Sequence, residues 1–485
     1  MKTRILLILA ISAVLIVSTF SSSSSTGIRS TIEITNNVYN DASPQINSKG
    51  DVVWQGYDGT DYEVYLYEGA TGKTIQLTNN NYSDTLPQIN SNGDVVWLSY
   101  DGNNYQIFLY ERATRTTLSL AKNPYDLWSP QINCRGDVAW LSYDGNDYDI
   151  FLYERASRTT RQLTNNNYNE WALQINCNGD VVWQGHDGAD YEIYLYEGAS
   201  GKTIQLTNNN YTDMSPQINS KGDVVWQGYD GRDYEIFLYD RASGITLQLT
   251  NNTYNDYSPQ INSKGDVVWQ GYDGRDYEIF LYDRASGTTL QLTNNTYNDG
   301  PPQINSSGDV VWQGYDGRDY EIFLYDRASG TTLQLTNNTY NDTLPQINGN
   351  GDVVWQGQNG SDYEIFLSLG TIEVDIDIKP GGNPNTINLK AKGVVPVAVL
   401  TTEDFDASAV MPYSVTFAGA SPVRWNLVDV DGDGHADMLF HFRTQELVEL
   451  DGESTEATLK GETSNGIAFK GTDSVNIVPK GNKNK

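Results

Sequence analysis

Nine residues near the C-terminus carry the densest chemistry in the chain. Asp429-Val-Asp-Gly-Asp-Gly-His-Ala-Asp437 places carboxylates at positions 1, 3, 5 and 9 of a glycine-containing loop. Together with the His435 carbonyl at position 7, they can converge on one cation with ligand distances of about 2.4 Å. Four carboxylates in nine residues repel one another without a cation, so the expected ligand is calcium, held by Asp429, Asp431, Asp433, His435 and Asp437. Position 12 is Phe440, so the bidentate glutamate of an EF-hand is missing. The expected role of the ion is to stabilise its module, not to react.

A second signal is aromatic. Trp128 and Trp171 lie 43 residues apart, at a position that elsewhere is Ala42, Thr85, Met214, Tyr257, Gly300 or Thr343, and Tyr125 and Tyr168 precede them by three residues. Aromatic faces flanked by short polar groups grip sugars and apolar peptide side chains, because the ring stacks while Asn, Asp and Tyr take hydrogen bonds. Trp128, Trp171, Tyr125, Tyr168 and Tyr257 are therefore candidates for a ligand platform; the alternative is that the tryptophans fill space beneath a rim. The recurring Tyr-Asp-Gly-x-Asp turns read first as hairpin turns and only second as calcium loops. His186, where other copies have Tyr57 or Tyr229, reads as a tolerated substitution and not a catalytic base. Cys134 and Cys177 are also 43 residues apart, and both a disulfide and two free thiols are open at this point.

These residues are positioned by a repeat. Trp54, Trp97, Trp140, Trp183, Trp226, Trp269, Trp312 and Trp355 follow one another at 43 residues without insertion or deletion. In the unit beginning at Ser215, four strands are predicted: Gln217 to Asn219, Asp223 to Gln227, Tyr234 to Asp240 and Thr246 to Leu249, punctuated by Lys-Gly, Asp-Gly and Ser-Gly. A four-stranded unit of this length describes a propeller blade. The third strand decides against a sandwich, since Ile236 and Leu238 on one face and Phe237 and Tyr239 on the other make both faces apolar. The last unit lacks a fourth strand, whereas Thr31-Ile-Glu-Ile-Thr stands 43 residues before Thr74-Ile-Gln-Leu-Thr. The expected fold is all-β: an eight-bladed propeller over residues 31–369 whose last blade is closed by the N-terminal strand, leaving no free edge.

The segments Ser-Pro-Gln-Ile-Asn-Ser-Lys-Gly-Asp-Val-Val-Trp, Tyr-Glu-Ile-Phe-Leu-Tyr-Asp and Leu-Gln-Leu-Thr resemble the repeats of TolB-type β-propellers, with the WD40-like architecture that implies. The resemblance implies a fold and no activity, and the α/β-hydrolase elbow Gly-x-Ser-x-Gly of propeller peptidases is missing. From residue 371 to 479 the repeat gives way to alternating segments at Val394 to Leu400, Ser414 to Phe417, Met438 to Phe442 and Val475 to Val478, predicted to form a β-sandwich. This part resembles C-terminal modules of secreted prokaryotic surface proteins, and its acidic loop resembles those of integrin-type and dockerin-like modules. Residues 480–485 form a polar tail.

The chain has 485 residues, 31 Lys plus Arg against 62 Asp plus Glu, and a net charge of −31, which disfavours nucleic acid and anionic lipid as partners. Two cysteines and three histidines exclude a disulfide-rich scaffold and zinc ribbons. Lys2 and Arg4 before an apolar run from Ile5 to Phe20 and a serine tract read as a signal peptide over residues 1–25, with an uncleaved anchor as the alternative. No membrane span is expected in the mature protein, which is placed in the secreted or cell-surface compartment. Eight glycosylation triplets add little, because an Asn-rich repeat generates them by chance. The expected function is non-enzymatic binding of a glycan or an extracellular or envelope protein. The alternatives are an extracellular polysaccharide lyase or glycoside hydrolase, and a self-assembling envelope protein.

Overall fold

The computed structural model describes residues 29–478 apart from 30, 124, 383, 403–404 and 465–467, so the expected signal peptide and polar tail lie outside the described residues. Residues 31–368 form eight four-stranded antiparallel sheets. In the fifth blade the strands are Asp213–Ile218, Val224–Tyr229, Tyr234–Asp240 and Ile245–Gln248, in that order from first to last. The third strand begins and ends where the alternation places it, but the first starts four residues earlier than expected. A bulge between Met214 and Gln217, with Ser215 at φ 56°, interrupts the alternation that would have revealed it.

Each blade is apolar on both faces because each is wedged between two others. Phe237 and Tyr239 pack with Val182, Ile193 and Leu195 of the fourth blade, while Ile236 and Leu238 pack with Val267 and Trp269 of the sixth. The repeated tryptophans are core: Trp226 is 1% exposed, stacks on Phe237 at 5.8 Å between centroids and donates its Nε1–H to Asp213 at 3.0 Å. The eighth blade is completed from the N-terminus, with Thr31, Ile32 and Glu33 antiparallel to Ser368, Leu367 and Phe366.

Two further devices lock blade to blade. Arg241 of the fifth blade reaches Asp180 at 3.2 Å and Glu197 at 2.9 Å in the fourth, and Arg112 reaches Glu68 at 2.9 Å in the same way. The first, fourth and eighth blades have Gly69, Gly198 and Gly370 where the other five carry this arginine. In the eighth, Arg29, from the segment that leads into the closing strand, takes over: it donates to the Gly351 carbonyl at 2.8 Å and faces Asp309 and Asp326, the seventh-blade equivalents of Asp180 and Glu197.

The second device is a closed ring of eight buried asparagines in the turns between first and second strands. Asn47 donates its Nδ2–H to the Asn90 carbonyl at 3.1 Å, Asn90 does the same to Asn133, and the series passes through Asn176, Asn219, Asn262 and Asn305 to Asn348. Asn348 returns to the Asn47 carbonyl at 3.0 Å. Each side chain also bonds within its own turn: Asn219 donates to Asp223 and accepts from the N–H groups of Lys221 and Asp223. Since a buried group stripped of its partner costs about 1–3 kcal/mol, Asn219→Ala is expected to destabilise the protein by roughly 3 kcal/mol. Equilibrium denaturation would read this, and a loss below about 1 kcal/mol would mean that water replaces the amide.

Beyond residue 370, two four-stranded sheets enclose one core that includes Val397, Phe417, Phe440, Phe442 and Leu459. The strands Pro422–Val428 and Asp437–Arg443 are hydrogen-bonded neighbours, and the acidic loop is the connection between them.

Candidate functional site

The rim formed by the fourth-to-first connections and the second-to-third hairpins is built on aromatic contacts. In most blades a tyrosine of the connection stands against the hairpin: Tyr211 packs edge-on to Tyr229 at 5.8 Å, and a side chain on Gly231, held at φ 104°, would meet the Tyr211 hydroxyl at 2.9 Å. Tyr125 and Tyr168 occupy this same structural position, 58% and 42% exposed, against Tyr143 and His186. The His186 Nδ1 accepts from the Gly188 N–H at 3.0 Å, so this residue serves the turn.

The third and fourth blades depart from the pattern. Where every other blade has Asn, Ser or Thr and then an acid before the variable position, the third has Asp126-Leu127. The displaced carboxylate turns to the rim, where its Oδ2 accepts from Trp128 Nε1 at 2.6 Å and from the Tyr148 hydroxyl at 2.7 Å. Burial, reinforced by Asp126, raises the Tyr148 phenol far above its ordinary value, so it remains a donor. The Tyr148 ring lies 4.7 Å from that of Trp171. One carboxylate and one tyrosine thus link the two tryptophans across the seam between blades.

The two differ in setting. Trp128 is 41% exposed, with its indole edge pinned by Asp126. Trp171 is half-buried against an apolar cluster that includes Leu141, where six other blades have Gln, and Leu173, where all the others have Pro. Trp171 therefore fills space as well as facing the rim. Tyr257 is not part of this assembly: it lies in the sixth blade between Tyr234 at 5.5 Å and Tyr277 at 6.1 Å. Asp126 and Tyr148 were not singled out in the sequence; the acid standing one residue early, with Leu127 in its usual place, is the signal in this single repeat that marks them.

In the turns between first and second strands, Cys134 and Cys177 form a disulfide joining the third and fourth blades, with 5.3 Å between Cα atoms.

Of the predicted metal ligands, Asp429, Asp431, Asp433 and His435 are exposed and Asp437 is fully buried. Asp429 accepts from the N–H groups of Gly432 at 2.7 Å and Gly434 at 3.1 Å, and Asp433 from His435 at 2.8 Å. Asp437 accepts from Val430 and Thr401 at 2.7 and 2.8 Å, which ties the loop to the sheet. A second acidic feature was read first as turn chemistry and only second as calcium loops. In the first and the third to sixth blades the hairpin brings one oxygen from each of three carboxylates within 4.8 Å of the others, as with Asp230, Asp233 and Glu235, an arrangement able to hold a metal ion.

Fold and rim together define an all-β, propeller-bearing protein. No protein-family model matches the chain, and no curated protein does. Among solved structures it is similar to dipeptidyl peptidase 4 of Porphyromonas gingivalis, at 12% identity and a TM-score of 0.51 over 89% of this chain and 71% of that one. It is also similar to the β-propeller domain of the Trilobed protease from Pyrococcus furiosus (13% identity, TM-score 0.44, 62% and 96% of the two chains). TolB from Acinetobacter baumannii is a further neighbour (15% identity, TM-score 0.36, 61% and 79%). At such identities the likeness concerns the fold alone. Among the described residues, no helix is long and apolar enough to cross a membrane.

Proposed function

We propose that this is an exported, non-enzymatic binding protein of the secreted or cell-surface compartment, whose propeller rim takes a glycan or an extracellular or envelope protein at the seam between the third and fourth blades. The observation that carries this reading is Trp128: a large aromatic ring kept 41% exposed while its polar edge is fixed by Asp126. A ring held in place loses little freedom on binding, so its stacking energy goes to the ligand. Tyr125 and Tyr168, exposed on the same rim, would add hydroxyls, and Trp171 would form a floor. The disulfide agrees with an oxidising compartment. Calcium in the loop of Asp429, Asp431, Asp433, His435 and Asp437 would stabilise the C-terminal module and leave ligand recognition to the propeller.

The test is binding of the exported form to a panel of glycans and isolated envelope fractions in calcium. Trp128→Ala should weaken binding about tenfold or more, the scale of a buried aromatic anchor, with little effect on melting. Trp171→Ala should lower both binding and stability. A ligand bound equally well by Trp128→Ala would remove the platform, and a panel without any ligand would shift the reading to self-association, measured by light scattering.

A further inference from the structure

The second-to-third hairpins contain more buried acid than a turn requires. In the fifth blade, Asp230 Oδ1 accepts from the N–H groups of Arg232 at 2.9 Å and Asp233 at 3.4 Å, and Glu235 Oε1 accepts from Asn252 N–H at 2.6 Å. The remaining oxygens are left over. Asp233 is 6% and Glu235 0% exposed, yet Asp233 Oδ1 and Glu235 Oε2 are buried without a hydrogen-bond partner. The same two oxygens are unpartnered in Asp61 and Glu63 of the first blade, and in their counterparts of the fourth, sixth and seventh. In the third blade both oxygens of Asp147 are orphaned. Buried carboxylate oxygens cost several kcal/mol each when nothing compensates them. Here the same deficit recurs from blade to blade, and in the first and the third to sixth blades each of the three acids offers an oxygen within 4.8 Å of the others.

The second blade shows what compensation looks like. It alone carries Asn104 and Gln106 in place of the Asp and Glu. Their amides turn on the remaining acid, with Gln106 Nε2 at 3.2 Å from Asp101 Oδ2. Lys122, standing where the other complete blades have asparagine, brings its ammonium to 3.6 Å of the same oxygen. Where two acids are lost, a lysine stands beside the third; where all three are kept, an asparagine takes its place.

We propose that the hairpins of the first and the third to seventh blades are six divalent-cation sites of the calcium class, each formed by an Asp-Gly-x-Asp-Tyr-Glu or Asp-Gly-x-Asp-Tyr-Asp segment. Only oxygen ligands are present, three of them carboxylates and none a thiolate or imidazole, which selects a hard cation. Calcium tolerates a shell completed by water and backbone carbonyls, whereas magnesium demands a regular octahedron. Dissociation constants of about 0.1–1 mM, as in extracellular modules, would suffice outside the cell.

The experiment is equilibrium dialysis of the full chain against radiocalcium at millimolar free ion. The Asp431→Asn/Asp433→Asn variant measures the share of the C-terminal loop separately. Asp233→Asn/Glu235→Gln copies the second blade and should bind one ion fewer than the parent. Asn104→Asp/Gln106→Glu/Lys122→Asn should bind one more. Should the first variant fail to fold, as judged by near-ultraviolet circular dichroism, the second decides alone. Unchanged stoichiometry in the folded variants overturns the proposal, as does a parent chain whose calcium is all lost with the C-terminal loop.

Discussion

A chain that begins at Asn37 is expected to lose its closed ring and to associate. The closing strand supplies Ile32 and Ile34 to the core of the eighth blade, where they pack near Val354, Ile365 and Leu367. The Ile34 N–H donates to the Ile365 carbonyl and the Ile365 N–H to Thr35 Oγ1, both at 2.8 Å. Two half-buried isoleucines are worth about 3 kcal/mol and the lost hydrogen bonds about 1 kcal/mol each, so the deficit is roughly 5 kcal/mol. The outcome would also be structural, because Asp362–Ser368 would become an unpaired edge beside an uncovered apolar face. Thermal unfolding should show a lower midpoint, and light scattering after gel filtration should show dimers or larger species. Identical melting and elution of the two chains would mean that seven complete blades and three strands are self-sufficient.

The second large effect is on pH. With divalent cations removed, stability should fall as pH rises from 5 to 8. Burial pushes Glu170 up to about 7, with Asp149 and Asp147 adding to the rise and Asn166 and Trp183 opposing it. Burial likewise pushes Asp213 up to about 7, with Glu192 as the nearest acid adding to the rise. In the unfolded chain such groups titrate near 4. Between about 4 and 7 the native state therefore holds protons that the unfolded state has released, and the free energy of unfolding declines with rising pH. The stabilisation is complete below the unfolded value and is lost as pH passes the folded one. For Glu170 alone the effect is about 3 kcal/mol. Glu170→Gln should flatten the slope, since an amide oxygen can still accept from Trp183 without a charge to bury. Denaturant unfolding in chelator at pH 5 to 8 reads both results; stability that is flat or rising over this range would contradict them.

The fold was legible because its determinants recur. The spacing of Trp54 to Trp355 gives the blade count, the apolar third strand gives burial on both faces, and Thr31-Ile-Glu-Ile-Thr gives the closure. Other features were hidden for physical reasons. In the C-terminal part, the strands Glu456–Glu462 and Ala468–Ser474 carry few apolar residues and escaped the alternation test. The asparagine ring was in view as Gln-Ile-Asn in every repeat, but its meaning depends on a neighbouring carbonyl 43 residues away, which local pattern does not encode. Arg29 was invisible for the same reason, as it lies outside the repeat it completes. At the rim, the substitutions Trp128 and Trp171 stood out by size, whereas Asp126 differs from its counterparts only by a one-residue shift. The acidic hairpins were read first as turns because Asp-Gly is sufficient for a turn; the burial of Asp233 and Glu235 is visible only in the structure.

The way the ring is closed also determines how it would carry a load. The chain enters the eighth blade at Thr31 and leaves it at Ser368, and these two residues are partners at the same end of antiparallel neighbours. Tension between the segment before Arg29 and the module after Gly370 would not be shared along the strand. It would open the pair like a zipper, one residue at a time, beginning at Thr31. The Arg29 guanidinium, bonded to the Gly351 carbonyl, stands ahead of that first pair and would be the first to yield. A ring held by eight asparagines around its circumference therefore has its mechanical fuse at the one point where both ends of the chain depart.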